Sequence, residues 1–258
     1  MEIRILGSVE LRTTGKSIAA IPEKVRQVLA TLAWQPNQLV SDDVVIRNIW
    51  GDSPPRNPRA ALCTYASRLR QLFREDEEQG RYPLTRHSSG YALEVDPRCI
   101  DLHRFRLLVG QARQASRARD HRSALELFDE ALYLWGAVPL ANIRSSWAET
   151  ARVGLEHERL AALVDQLRTS LLLGRHMEVI PLLRHVVAQN PLDENLTAML
   201  MVALCRSGRS SEALQAFGVM YERLVEELGI YPGVPLRDLH CKILSEDQSI
   251  MQIAWFMA

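Results

Sequence analysis

A helix studded with arginines that runs into a short hairpin constrains this chain more than any other feature. Residues 58–74 read Pro-Arg-Ala-Ala-Leu-Cys-Thr-Tyr-Ala-Ser-Arg-Leu-Arg-Gln-Leu-Phe-Arg, and residues 84–93 read Leu-Thr-Arg-His-Ser-Ser-Gly-Tyr-Ala-Leu. At about 100° per residue, Leu62, Tyr65, Ala66, Leu69, Leu72 and Phe73 share one side, as a buried stripe requires. The opposite side carries Ala60, Thr64, Ser67, Gln71 and Arg74, with Arg68 and Arg70 on its flanks. Between Pro54 and Arg74 there are five arginines (56, 59, 68, 70, 74) and no acid. Small and hydroxyl side chains let a helix sit deep in a major groove, while flanking guanidiniums fork onto guanine or clamp phosphate. A solvated surface helix has the same letters, so the flanking segments must decide between the two.

Those segments favour the groove. Pro22 opens a helix whose apolar residues Val25, Val28, Leu29, Leu32 and Ala33 recur at helical spacing. Ser41 caps a second helix, with Asp42 and Asp43 in its first turn and Val45, Ile46, Ile49 and Trp50 facing inward. Gly51 and Ser53-Pro54-Pro55 stop it. Ahead of these helices, Ile3 and Ile5, Val9 and Leu11, and Ile18 and Ala20 alternate with other residues, and Thr14-Gly15-Lys16 supplies a turn. Residues 2–20 therefore read as a small antiparallel sheet. Sheet, three helices and hairpin in that order form a winged helix-turn-helix, expected over residues 1–95, with the hairpin as its wing.

Beyond Asp96-Pro97 almost everything is helical, and the segment repeats itself. Gly174-Arg-His-Met-Glu-Val-Ile-Pro-Leu-Leu183 aligns with Gly208-Arg-Ser-Ser-Glu-Ala-Leu-Gln-Ala-Phe217, 34 residues on, which is the tetratricopeptide period. Arg119-Asp-His-Arg-Ser-Ala-Leu-Glu-Leu-Phe128 is a looser copy without the glycine. Such units cannot bury their apolar faces singly, so they stack. Residues 96–247 are expected to form an all-α, tetratricopeptide-like domain suited to holding another protein segment. The whole chain is then mainly α with a small β part. Residues 248–258 are an apolar tail too short to span a bilayer, readable as a frayed end or as a strip that docks on a neighbour.

Overall charge is silent: 31 basic and 31 acidic side chains balance, and residues 1–95 hold 13 basic against 11 acidic. The basic signal is local to the arginine helix. Cys63, Cys99, Cys205 and Cys241 are far apart and read as reduced, part-buried thiols of a cytoplasmic protein, neither disulfides nor zinc ligands. Met1-Glu2-Ile3-Arg4-Ile5-Leu6 starts a strand, so no signal peptide is expected. No phosphate-cradling glycine loop ending in Gly-Lys, no Gly-x-Gly-x-x-Gly and no Gly-x-Ser-x-Gly is present. His157-Glu158 lacks the second histidine of a zincin, and His176 and His185 fall off a single helical face. We therefore expect no catalytic residues, no cofactor and no metal.

Taken together these pieces resemble the Streptomyces antibiotic regulatory protein family. The resemblance rests in the first domain on Val40-Ser41, Ile49-Trp50-Gly51, Pro54-Pro55, Tyr65-Ala-Ser-Arg-Leu-Arg70 and Gly90-Tyr91-Ala-Leu93. In the second it rests on Asp101-Leu-His-Arg-Phe105, Leu134-Trp135-Gly136, Pro139-Leu140, Leu173-Gly174, Asn190-Pro-Leu192, Gly208-Arg209 and Glu227-Leu-Gly-Ile-Tyr-Pro-Gly233. Membership implies a winged helix like that of response-regulator effectors joined to a bacterial transcriptional activation domain. It implies an activator of a secondary-metabolite gene cluster, often one for an antibiotic, that binds promoter direct repeats and brings RNA polymerase holoenzyme to them.

The resemblance places Arg68 as a base reader and Arg70 as a backbone contact. The helical wheel adds Thr64 and Ser67, and Arg59, Arg74, Arg86 and His87 complete the expected DNA-binding set. Many response-regulator wings carry an arginine three residues before Gly-Tyr; here that position is His87, with Arg86 just before it. Tyr91 is expected to pack the hairpin. Copies on a direct repeat would sit about one helical turn, on the order of 10–11 bp, apart and associate there. Two other readings of the same letters are a metabolite-sensing regulator and a repeat-type adaptor that does not read DNA. A nucleoid-associated cytoplasmic location goes with the DNA-reading alternative.

Overall fold

Alternating apolar residues build the N-terminal sheet. In the computed structural model, which describes residues 1–13, 16–17, 21–74 and 83–251, strands β1 (Glu2–Arg4), β2 (Glu10–Thr13) and β3 (Lys16–Ser17) pair antiparallel in that order. Ile3 sits opposite Leu11, and Ile3, Ile5, Val9 and Leu11 are all buried. The expected turn at Thr14-Gly15 and the apolar pair Ile18 and Ala20 lie outside the described residues.

Three helices follow. In α1 (Glu23–Ala33), Val25, Val28, Leu29, Leu32 and Ala33 are fully buried, the outcome its periodicity predicts. Helix α2 (Asp42–Trp50) starts at Ser41, whose Oγ accepts the Val44 N–H at 3.4 Å. It ends where Gly51 turns to φ 58°. Helix α3 (Pro58–Arg74) buries Leu62, Ala66, Leu69 and Phe73 and leaves Ala60, Thr64, Ser67, Arg68 and Gln71 exposed.

Strands β5 (Leu84–His87) and β6 (Gly90–Leu93) form the hairpin. A two-residue strand that periodicity cannot reveal, β4 (Val40–Ser41), adds to β6, so the second sheet runs β4-β6-β5. Its register requires Gly90: a Cβ there would lie 2.1 Å from the Val40 carbonyl oxygen.

The helical segment comprises α4 (Asp101–Arg117), α5 (His121–Tyr133), α6 (Ser146–Leu172), α7 (His176–Gln189), α8 (Glu194–Arg206), α9 (Ser210–Arg223) and α10 (Val234–Leu244). A π-helical turn, Leu224–Leu228, extends α9. By packing, the chain divides into one unit of residues 1–111 with 129–161 and another of 112–128 with 162–258.

Within the first unit, the start of α4 and the loop after α5 are fastened to the N-terminal strands. The Asp101 carboxylate is buried and accepts the N–H groups of Ile5 (2.8 Å), Leu6 (3.0 Å) and Leu102 (2.8 Å). Gly136 N–H donates to Leu6 O at 2.9 Å, Leu140 N–H to Ile5 O at 3.0 Å, and the Asn142 amide pairs with both backbone groups of Val9. These bonds give Ile5, Leu6 and Val9, in the turn between β1 and β2, the partners that buried backbone groups need. Trp135 packs edge-on against Phe105 at 5.1 Å between centroids, with the Arg159 guanidinium over its ring. On α1, Gln27 Nε2 donates to Arg144 O, Ala33 O bonds the His103 ring, and the neighbouring Trp34 meets Trp147 edge-on.

The second unit is organised on α8, in which every residue from Leu196 to Leu204 is buried. Helices α7, α9 and α10 surround it through Leu183, Ala213, Met220 and Leu239. The three repeat copies end their preceding helices in the same turn. Gly174 and Gly208 adopt φ 79° and 75°, and Arg119, at the aligned position of the looser copy, adopts φ 63°. In each copy the next N–H reaches back five residues: Asp120 to Ala115, Arg175 to Ser170 and Arg209 to Leu204. That is the bond of a Schellman cap. The tail begins as a 3₁₀ turn, Gln248–Met251, whose Ile250 is buried in the same core. Residues 252–258 lie outside the described residues.

Candidate nucleic-acid interface

Helix α3 presents a polar face whose arginines differ sharply in what they already hold. Arg68 is exposed and has no ion-pair or hydrogen-bond partner among the described residues. One turn earlier Thr64 is exposed, with its hydroxyl bonded to Ala60 O at 3.1 Å, and Ser67 is exposed beside Arg68. Gln71 completes this face. Near the start of the helix Arg59 reaches Asp43 on α2 at 3.3 Å, in a solvent-exposed pair of the kind that contributes ~1 kcal/mol or less. Arg70 is half-buried: its Nε donates to Leu84 O at 3.2 Å, and its guanidinium lies 5.8 Å from the Tyr91 ring centroid. The side chain of Arg74 lies outside the described residues.

The wing is built differently from what its letters suggest. His87 is exposed at the end of β5. Arg86 is not a free cation. Its two Nη atoms meet the two Asp42 carboxylate oxygens at 2.5 and 2.9 Å, and its guanidinium stacks 4.5 Å from the Tyr91 centroid. The carboxylate hydrogen bond holds the Arg86 guanidinium protonated well above the ordinary arginine value. Tyr91 is buried, as its expected hairpin-packing role requires, and its hydroxyl meets Cys63 Sγ on α3 at 3.6 Å. Burial first, and the Cys63 contact second, push the phenol up to about 12. One ring thus joins α3 to both strands of the wing.

Sequence reasoning missed the role of Asp42. In the N-terminal turn of α2 an aspartate reads as a complement to the helix dipole, and nothing local marks it as the partner of an arginine 44 residues away. Lys24 was missed for the same reason. Its Nζ donates to Ile49 O at 3.2 Å and sits over Trp50, finishing the C-terminal end of α2. The cysteines require one correction: all four are free, but Cys63 and Cys241 are exposed where part-buried thiols were expected. Each is near the surface of an amphipathic helix, and a residue of Cys size carries no periodic signal of its own.

Other chemistry is sparse. Among the described residues no group of three His, Cys, Asp or Glu side chains could hold a metal ion. Among the same residues no helix is long and apolar enough to cross a membrane. An open concavity lies at the α7–α8 turn over Gln189–Glu194. Its carboxylates are already engaged: Asp193 caps the Leu196 N–H at 3.0 Å, and Glu194 accepts from the Gly233 N–H at 2.7 Å.

Comparison with known proteins agrees with this architecture. Residues 16–93 match the family described as transcriptional regulatory protein, C terminal, and residues 100–244 match the bacterial transcriptional activator domain. The transcriptional regulator RedD of Streptomyces coelicolor is 36% identical over 250 residues, covering 96% of this chain and 71% of RedD. The regulatory protein DnrI of Streptomyces peucetius is 34% identical over 258 residues, covering 97% of this chain and 94% of DnrI. Among solved structures, Mycobacterium tuberculosis EmbR in complex with a low-affinity phosphopeptide superposes with a TM-score of 0.91 at 27% identity, over 98% of this chain and 67% of that one. With both domains matched in order and full-length relatives at this level of identity, the chain belongs to the Streptomyces antibiotic regulatory protein family of transcriptional regulators.

Proposed function

We propose that this protein is a sequence-specific activator that binds promoter DNA of a secondary-metabolite gene cluster and recruits RNA polymerase holoenzyme. Residues 1–95 read the DNA, and residues 96–247 serve self-association and polymerase contact on direct repeats. Helix α3 enters the major groove with Arg68 forked on a base edge and Thr64 and Ser67 lying close to it. Arg59 and Arg70 contact the phosphates on either side, Arg74 is assigned the same role from the sequence, and His87 approaches the backbone from the wing.

The observation that carries this reading is the exposed face of α3, small and hydroxyl-bearing, with Arg68 at its centre and without a partner among the described residues. A free guanidinium can form the bidentate contact that guanine accepts, and such a contact gives about 1–3 kcal/mol of discrimination. The test is a titration of the purified protein against a promoter fragment from its own gene neighbourhood and against a scrambled duplex. Arg68→Ala is expected to weaken promoter binding by about ten- to a hundredfold and to leave scrambled-duplex binding nearly unchanged. Equal binding of both duplexes by the wild-type protein would discard the DNA-reading function in favour of an adaptor.

A further inference from the structure

Asp42 holds the wing in two ways that have nothing to do with capping a helix. Its N–H donates to Ser89 O in the hairpin turn at 2.9 Å, and its carboxylate receives both Nη atoms of Arg86. The Asp42 side chain is 10% exposed and that of Arg86 37%, against 72% and 70% for Asp43 and Arg59, so water and salt screen this ion pair less than that one. Tyr91 then takes the face of Arg86 at 4.5 Å and touches Cys63 on α3. A guanidinium whose charge and two Nη donors are taken by a carboxylate, and one face by an aromatic ring, offers less to a phosphate or a base edge than an unpaired one.

From this arrangement we infer that Asp42 is a positioning residue for DNA recognition: it makes Arg86 a strut that sets the wing against α3 and withholds its charge from DNA. The inference rests on the DNA-reading function proposed above. It assigns a cost and a gain to the same ion pair. The gain is a wing held at one angle to the reading helix, so that His87 and the Ser88-Ser89 turn meet the backbone only when α3 is seated in register. The withheld cation lowers affinity for arbitrary DNA, because each phosphate neutralised adds affinity irrespective of sequence. Both effects raise the ratio of specific to non-specific binding.

The experiment measures binding to the promoter fragment and to the scrambled duplex over a range of salt, for the wild type, Asp42→Asn, Arg86→Gln and the double variant. Circular dichroism melts are run on each to follow folding separately. Asp42→Asn is expected to weaken promoter binding about tenfold and to tighten scrambled binding. Its salt slope on the scrambled duplex should steepen by about 0.9, the signature of one added phosphate contact. Adding Arg86→Gln should restore the wild-type slope but not the promoter affinity, and Arg86→Gln alone should leave the scrambled slope unchanged. A merely structural role for Asp42 would lower both affinities together and move no slope. The inference is overturned if Arg86→Gln alone reduces the slope by about 0.9, for then Arg86 touches phosphate in the native protein. It is equally overturned if Asp42→Asn keeps the wild-type ratio of promoter to scrambled binding. A wild type that treats both duplexes alike removes the DNA-reading function and this inference with it, a result distinguishable from the other two.

Discussion

Three aligned turns in the helical segment make a paired prediction with opposite signs. At Gly174 the backbone has φ 79°, and a Cβ built there meets nothing within 4 Å. Gly174→Ala therefore carries no clash, only the intrinsic cost of placing a side chain in the left-handed region, about 1–2 kcal/mol. Alanine also restricts the unfolded chain, which returns about 0.4–1 kcal/mol. The net expectation is a loss of about 0.5–1 kcal/mol. Arg119 stands at the aligned position with φ 63° and an exposed side chain, so it bears the cost that glycine avoids. Arg119→Gly is expected to stabilise by about the same amount, against the usual direction for introducing glycine next to a helix. Urea unfolding followed by circular dichroism resolves both changes, and in a heat melt they amount to roughly 1–4 °C in opposite directions. A loss of stability in Arg119→Gly would refute the argument, because it would show that the arginine side chain contributes more than its backbone costs.

Other expectations follow from buried groups of the first unit. Asp101→Ala leaves the N–H groups of Ile5 and Leu6 buried without an acceptor and should cost about 3–5 kcal/mol in denaturant unfolding. Burial pushes the Asp101 carboxyl up to about 6 against the pull of three backbone N–H donors. The raised value means that its protonated form is favoured by folding. Its stabilising contribution is complete below about pH 4 and is lost, by about 3 kcal/mol, as pH rises through about 6. Asp101→Asn, which cannot ionise, should flatten that part of the stability profile. Gly90→Ala drives a Cβ to within 2.1 Å of Val40 O and should separate β4 from β6 at a cost of about 3 kcal/mol or more, seen as lost amide protection at Tyr91.

Much of the fold was legible because its signals are local. The stripe Leu62, Ala66, Leu69 and Phe73 is buried where about 100° per residue puts it, and Ser41 caps the helix its side chain predicts. The glycines at 174 and 208 mark two helix ends because glycine alone occupies positive φ without strain. The polar face of α3 follows from the same period, so Arg68 and its neighbours could be named from the letters. Exposure of that face is therefore a property of the sequence.

What a cation on that face already holds is not. Arg68 and Arg86 are the same residue type, yet one has no partner among the described residues and the other is bound by a carboxylate 44 residues away. Asp101 reads as an ordinary helix-starting aspartate until Ile5 and Leu6, just past β1, bring two N–H groups to it. The strand β4 is two residues long, too short for alternation to register, and exists only because β6 arrives beside it. Periodicity and capping report interactions within a few residues, where the chain's own geometry fixes who meets whom. Partners dozens of residues apart are chosen by how the elements pack, and that choice gave the wing's Arg86 to Asp42.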